Sequence, residues 1–294
     1  MEKEVLNNEL KSFLRTERSI ASLTGHCVTG RYLKILLHVP HSSAVFPEEV
    51  FVGGAPPRVN EVEGSMTDWF TDELFVPQSA CEEIVPVVFP FSRLYCDVER
   101  MENDPLEEQG LGIVYNYGGR CFHPSRLTVC HAMEMYAEHT RKVARLLGSM
   151  RNPLLLDCHS FSSLPNPLRP NVEDALQTDI CIGVNDTQRP TESMLAMICN
   201  YFEDNGYRVN INKPFANSKT VPMEPPCNYW YAWREGRVVE VKAFPAPYDT
   251  LMIEVNKRLY MDETTGEKSK GFDKLRKTIQ MLYPKLLEDR SLGS

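Results

Sequence analysis

The chain has 294 residues, 42% of them hydrophobic and 24% charged, with a formal net charge of −8. This is ordinary globular composition, long enough to bury a full core in one large α/β domain or two smaller ones. The acidic balance and the lack of a Lys/Arg block argue against nucleic acid or an anionic membrane as partner, and no apolar run approaches the span of a bilayer.

Residues 1–30 open on the charged stretch "MEKEVLNNELKSFLRTERS", without a signal-peptide apolar region, and read as an N-terminal helical extension. Residues 31–290 read as one domain. The nine cysteines, at 27, 81, 96, 121, 130, 158, 181, 199 and 227, are scattered singly with no C-x-x-C pair. That is the pattern of reduced thiols in a cytoplasmic protein, not of a disulfide framework or a cysteine zinc cluster.

Along the chain, short apolar runs predict strands at 33–39, 83–89, 153–159, 179–184, 207–212, 237–244 and 250–256. Helices are predicted at 65–75, 125–150, 191–206 and 269–283. The second of these has its apolar residues at 129, 130, 133, 136, 137, 144 and 147, and the last at 272, 275, 279 and 282. The stretches 41–64, 101–124, 160–177 and 213–236 read as irregular. The alternation predicts an α/β fold, a mixed, mostly parallel twisted sheet with helices on both faces. Long loops at strand ends are where such folds build their sites.

Several strands end in reactive side chains. "LLLDCHSFSS" (154–163) delivers Asp157, Cys158, His159 and Ser160, and "LLHVPHSS" (36–43) delivers His38 and His41. Taken alone, the first could be a polar strand cap, and His38, inside its strand, reads as a hydrogen-bonded core histidine. Two strand ends each presenting a histidine also suit a catalytic zinc site completed by a carboxylate, although the helical H-E-x-x-H motif is absent. "FSRLYCDVER" (91–100) packs Arg93, Asp97 and Arg100 together, either as a solvated turn with local ion pairs or as a carboxylate-binding fork. Glu254 interrupts the apolar run "TLMIEVN". A buried carboxylate there needs an arginine partner, a metal or a proton-transfer role. The Gly-rich "GLGIVYNYGG" (110–119) lacks the strand and helix of a nucleotide loop.

Taken in order, "VPHSS", "SRLYCDVER", "DCHS", "NINKPFANS" and "MIEVNKRLYMDE" resemble the motifs of N-formylglutamate amidohydrolases, which are similar to zinc carboxypeptidases and aspartoacylase. The resemblance spans residues 33 to 283. It implies a zinc carboxypeptidase-like fold and a hydrolase with one Zn²⁺ per chain, cleaving the amide of an N-formyl or N-acyl acidic amino acid such as N-formylglutamate. It implies His41 and His159 as metal ligands, with Asp68 of "MTDWF" as third ligand and Glu48, Glu61 or Glu63 as alternatives. Asp72 stands one helical turn beyond Asp68, where it could support the site. Glu254 matches the residue that activates water, and Arg93 one that polarises the scissile carbonyl. Arg100, Asp97, Asn212 and Ser160 are expected to bind substrate. Asp157, on His159's face of its strand, is expected to support the site.

Two departures bear on the substrate. Glu99 stands where the family's D-x-N-R has an amide, and Ala216-Asn217-Ser218 replaces Gly-Gly after "KPF". The alternatives are a metallo-carboxypeptidase or amidase acting on a peptide or γ-glutamyl bond, and a catalytically inactive binding protein of the same fold. A small-molecule partner is expected, with no nucleic acid and no membrane; nothing in the sequence sets the oligomeric state.

Overall fold

In the computed structural model, residues 33–47, 66–102, 104–115, 126–164, 172–186, 188–217, 229–234, 237–242 and 248–292 are described. The predicted extension at 1–30 and the alternative ligands Glu48, Glu61 and Glu63 lie outside the described residues. Those described belong to one compact unit, Leu33–Ser294.

Six strands form the main sheet: β1 (Leu33–Val39), β2 (Ile84–Val88), β3 (Arg151–Phe161), β4 (Ile180–Gly183), β5 (Val209–Ile211) and β8 (Asp249–Asn256), in the order β2-β1-β3-β8-β4-β5. β2, β1, β3 and β8 run parallel, whereas β4 is antiparallel to β8 and parallel to β5. The central runs "LKILLHV", "LLLDCHSF" and "TLMIEV" are apolar on both faces because helices cover both faces. On one side Leu37, Leu156 and Ile253 meet α1 (Thr71–Phe75), α4 (Glu192–Asp204) and α5 (Phe272–Leu292). On the other, Leu36 and Leu155 meet Val143, Ala144 and Leu147 of α2 (Arg126–Ser149). Among the described residues no helix is long and apolar enough to cross a membrane.

The predicted elements need six corrections. The strand expected at 237–244 pairs as β7 (Arg237–Lys242) with β6 (Tyr229–Arg234) in a separate antiparallel ribbon. β6 falls in a stretch expected to be irregular, although its "YWYAWR" is rich in strand-forming aromatics. The short helix α3 (Val172–Gln177) likewise lies in an expected loop. The helix expected at 65–75 begins only at Thr71, after Phe70 turns into the left-handed region at φ 65°.

The other two concern the long helices. α5 runs on to Leu292 through Pro284, since Leu282, Tyr283 and Leu286 stay fully buried around it. That burial, roughly 1.5–3 kcal/mol per large apolar side chain, offsets the hydrogen bond a proline cannot make. α2 turns a different face inward than its apolar pattern suggests. Cys130 and Met133 are exposed, and Ala132, Tyr136, His139, Thr140, Val143 and Leu147 face the interior.

Candidate active site

The C-terminal ends of β1 and β3 lie side by side, His38 opposite Asp157 in register. One turn of chain past β1 brings His41 beside His159, their rings 5.1 Å apart. Asp68 completes the group from the segment before α1. Its backbone N–H donates to the His41 carbonyl at 2.9 Å. The carbonyls around it are each tied to a different element: Thr67 accepts from Lys257 Nζ at 2.7 Å, Asp68 from Thr71 Oγ1 at 2.8 Å, and Trp69 from Tyr260 at 2.9 Å. Phe70's left-handed backbone, a conformation that costs about 1–3 kcal/mol in a non-glycine residue, is held by edge packing on Phe272 at 6.1 Å. The strain sits two residues from a candidate ligand.

The imidazole orientations define what this cluster can do. His41 Nε2 is 2.7 Å from Asp97 Oδ1, and Asp97, an acceptor when ionised, turns His41 Nδ1 toward Asp68 Oδ2 at 3.5 Å. His159 Nε2 stands 3.1 Å from Asp157 Oδ1, and its Nδ1 is 3.1 Å from the same Asp68 oxygen. Both Nδ1 atoms thus converge on Asp68 Oδ2. A proton on His159 Nδ1 satisfies one of these contacts, yet His41 Nδ1, His159 Nε2 and Asp68 Oδ1 are buried without a hydrogen bond. Ligands about 2.0–2.1 Å from a tetrahedral zinc stand about 3.3–3.4 Å apart, which matches the two spacings. His41, Asp68 and His159 therefore fit a small divalent cation. The overlapping sets that bring in Glu99 with Asp97 or Asp157 fit less well, because Asp97 already bonds His41 Nε2 and Asp157 already bonds His38 Nδ1.

Charge points the same way. Among the described ion pairs of Asp68, Asp97, Glu99 and Asp157, the arginine partners are Arg93 and Arg100, both on Asp97, and the rest are histidines. Burial alone would raise the Asp68 carboxyl, but contacts with His159 and His41 hold it well below the usual carboxylate range. Burial alone would lower His159, and Glu99, Asp157 and Asp68 instead push it well above its ordinary value. The site draws in positive charge.

Each remaining expected residue has a definite place. Asp97, expected to touch substrate, is fully buried and saturated. It accepts from His41, from Arg93 Nη2 at 2.8 Å, from the Tyr115 hydroxyl at 2.7 Å and from the Glu99 N–H at 3.1 Å. Its carboxylate stands directly behind the candidate ligand His41. The Arg93 guanidinium donates to Asp97, Tyr115 and the Met66 carbonyl. Arg100 is freer: Nε lies 3.6 Å from Asp97 Oδ2 and makes no hydrogen bond. Ser160 points to the face opposite His159, toward Tyr260. Asn212, expected to bind substrate, is exposed and accepts the Val184 N–H at 2.9 Å, closing the β4–β5 connection. Asp72 is half-buried beside Glu73 and Lys268 rather than in the cluster. Glu254 pairs in register with His159 and is 8% exposed. Asn217, where a glycine was expected, adopts φ 70°, so asparagine keeps the left-handed turn there.

Sequence reasoning passed over Tyr115, which lies in a loop without periodic signal, and His139. The latter had one: it sits four and eight residues before the buried Val143 and Leu147. Glu99, whose side chain is 20% exposed, marks the open side of the cluster. Its carboxylate reaches within 3.8 Å of His41 Nδ1 and 3.4 Å of His159 Nε2.

Fold and site together define an α/β protein with a buried His–Asp–His set, suited to a cation, where parallel strands end. A model of the N-formylglutamate amidohydrolase family matches residues 33–261, and the chain belongs to that family. It is an enzyme that hydrolyses an amide. The fold is similar to that of the N-formylglutamate amidohydrolase of Ralstonia eutropha JMP134, with a TM-score of 0.61 and 19% identity over 90% of this chain and 97% of that one. It is also similar to gene product Atu2144 of Agrobacterium tumefaciens, with a TM-score of 0.50 and 16% identity over 86% and 91% of the two chains. No curated protein sequence matches the chain.

Proposed function

We propose that this amidohydrolase is zinc-dependent and carboxypeptidase-like, and that it cleaves the amide of an N-formyl or N-acyl acidic amino acid such as N-formylglutamate. The observation that carries the reading is the convergence of His41 Nδ1 and His159 Nδ1 on Asp68 Oδ2. One zinc ion per chain, held by His41, Asp68 and His159, would supply Lewis-acid polarisation of the carbonyl and water ionised near neutral pH. Asp97, bonded to His41 Nε2, and Asp157, 3.1 Å from His159 Nε2, would favour protons on those nitrogens and leave both Nδ1 lone pairs facing inward.

Glu254 is the general base. Its carboxylate takes a proton as the water oxygen attacks the acyl carbon, then passes that proton to the amide nitrogen as the C–N bond breaks, giving a carboxylate and a free amine. Arg100 pairs with the substrate carboxylate through a planar fork. Arg93 acts at one remove, keeping Asp97 charged and oriented. The catalytic unit is the domain at 31–290, and the free cysteines support a reducing, cytoplasmic setting.

The deciding experiment incubates the purified protein with a panel of N-formyl and N-acetyl amino acids, with and without chelator and added zinc. Formate or acetate release that chelation abolishes and zinc restores is the expected result. Release that ignores the chelator would remove zinc from the reading, and turnover confined to peptides would replace the substrate.

A further inference from the structure

We propose that His38 and His139 are positioning residues for the ligand set: with Asp157 they form a buried chain that fixes the tautomer and orientation of His159. The inference rests on the metal-centre reading above.

The chain crosses two layers of the fold, and its last link, Asp157 to His159, is a close polar contact rather than a formed hydrogen bond. His139 Nε2 on α2 is 2.9 Å from His38 Nε2 on β1. His38 Nδ1 is 2.7 Å from Asp157 Oδ1 on β3, and that same oxygen stands 3.1 Å from His159 Nε2. His38 and Asp157 are fully buried, with His159 at 2% and His139 at 6% exposure.

The proton directions follow from the donors and acceptors. Asp157 Oδ1 faces two imidazole nitrogens and serves both as a carboxylate acceptor. His38 therefore donates from Nδ1 and, as a neutral ring, offers a lone pair at Nε2. His139 Nε2–H fills that lone pair. At the far end, the Asp157 and Glu99 carboxylates, 3.1 and 3.4 Å from His159 Nε2, both favour a proton on that nitrogen, which leaves the Nδ1 lone pair for a cation shared with Asp68. Each step fixes the next.

The two candidate histidine ligands are thus backed differently. Behind His41, Asp97 is gripped by Arg93 and Tyr115 within one short segment of chain. Behind His159, the backing passes through β1 into α2, so it depends on the packing of a helix against the sheet. This also accounts for the face α2 buries: His139 and Thr140 point inward while Cys130 and Met133 do not. Outer partners of a ligand histidine typically change metal affinity about 10–100-fold when removed.

The test measures zinc affinity by chelator competition on the full chain, for wild type, His38→Leu, His139→Leu and His139→Gln, together with thermal unfolding before zinc is added. Each Leu variant is expected to bind zinc about 10–100-fold more weakly. His139→Gln, whose amide can still donate to His38 Nε2, should recover most of the loss. If His38→Leu does not fold, the two His139 variants decide the matter. Leu variants that unfold more easily but bind zinc within about twofold of wild type would reduce the chain to core packing and overturn the inference, leaving the metal centre intact. Wild-type protein that binds no zinc would overturn the metal centre and the inference with it.

Discussion

His159 and Glu254 are direct partners in the parallel register of β3 and β8, so their side chains leave the sheet on the same face. A candidate ligand and a nearly buried carboxylate therefore share one small volume. Glu254→Gln keeps the size and hydrogen-bonding reach of the side chain but removes its capacity to accept a proton. Turnover should fall by about 10²–10⁴-fold with metal content unchanged. Near-normal turnover would rule out the base role, and loss of metal together with turnover would make Glu254 a ligand.

His159→Ala should reduce bound zinc from about one ion per chain to nearly none, because an open N/O site held by three protein ligands does not survive the loss of one. Elemental analysis after dialysis reads the result. Unchanged occupancy would sink the assignment of His159.

Arg100→Lys should raise KM for a carboxylate-bearing substrate several-fold while kcat stays within about twofold, since an ammonium cannot reproduce a planar two-pronged contact. The prediction follows from Arg100's freedom relative to Arg93, whose guanidinium is occupied by Asp97. An unchanged KM with a depressed kcat would give Arg100 a transition-state role.

Asp179 sets an acid limit on stability away from the site. Burial alone would raise its carboxyl, but hydrogen bonds from Arg208 and Arg258, the latter 2.6 Å away, bring it down to about 2. Because the folded value lies below the unfolded value of about 3.9, the stabilisation is complete above about pH 4 and disappears as pH falls through about 2. Arg208 is half exposed, so we discount the effect to about 1–2 kcal/mol. Asp179→Asn should be less stable than wild type by that amount at pH 7 in denaturant titrations and nearly equal to it at pH 2. An equal deficit at both pH values would assign the cost to lost hydrogen bonds rather than charge.

The sheet was legible because its central strands are long apolar runs whose ends carry His41, His159 and Glu254, and those runs have no other economical use. Asp68 could be reached only through family resemblance, since nothing local marks a loop aspartate tied down by Thr67, Thr71 and Tyr260. The face of α2 departs from its apolar pattern for a physical reason: it buries His139 against His38, and apolar periodicity cannot see a polar group that becomes buried by finding a partner. Arg93 reads as a carbonyl-polarising group and Asp97 as a substrate group because the sequence shows charge but not what each charge contacts. Here they largely neutralise each other.

β8 comes last among the strands yet lies between β3 and β4 in the middle of the sheet. Until residues 249–256 have left the ribosome, the apolar strand "LLLDCHSF" offers a bare edge, and β4 and β5 have no sheet to join. The nascent chain therefore carries an adhesive strand through most of its synthesis. Any truncation ahead of Asp249 fixes that condition permanently, and its product should be recovered from cells as aggregate rather than as a smaller folded protein.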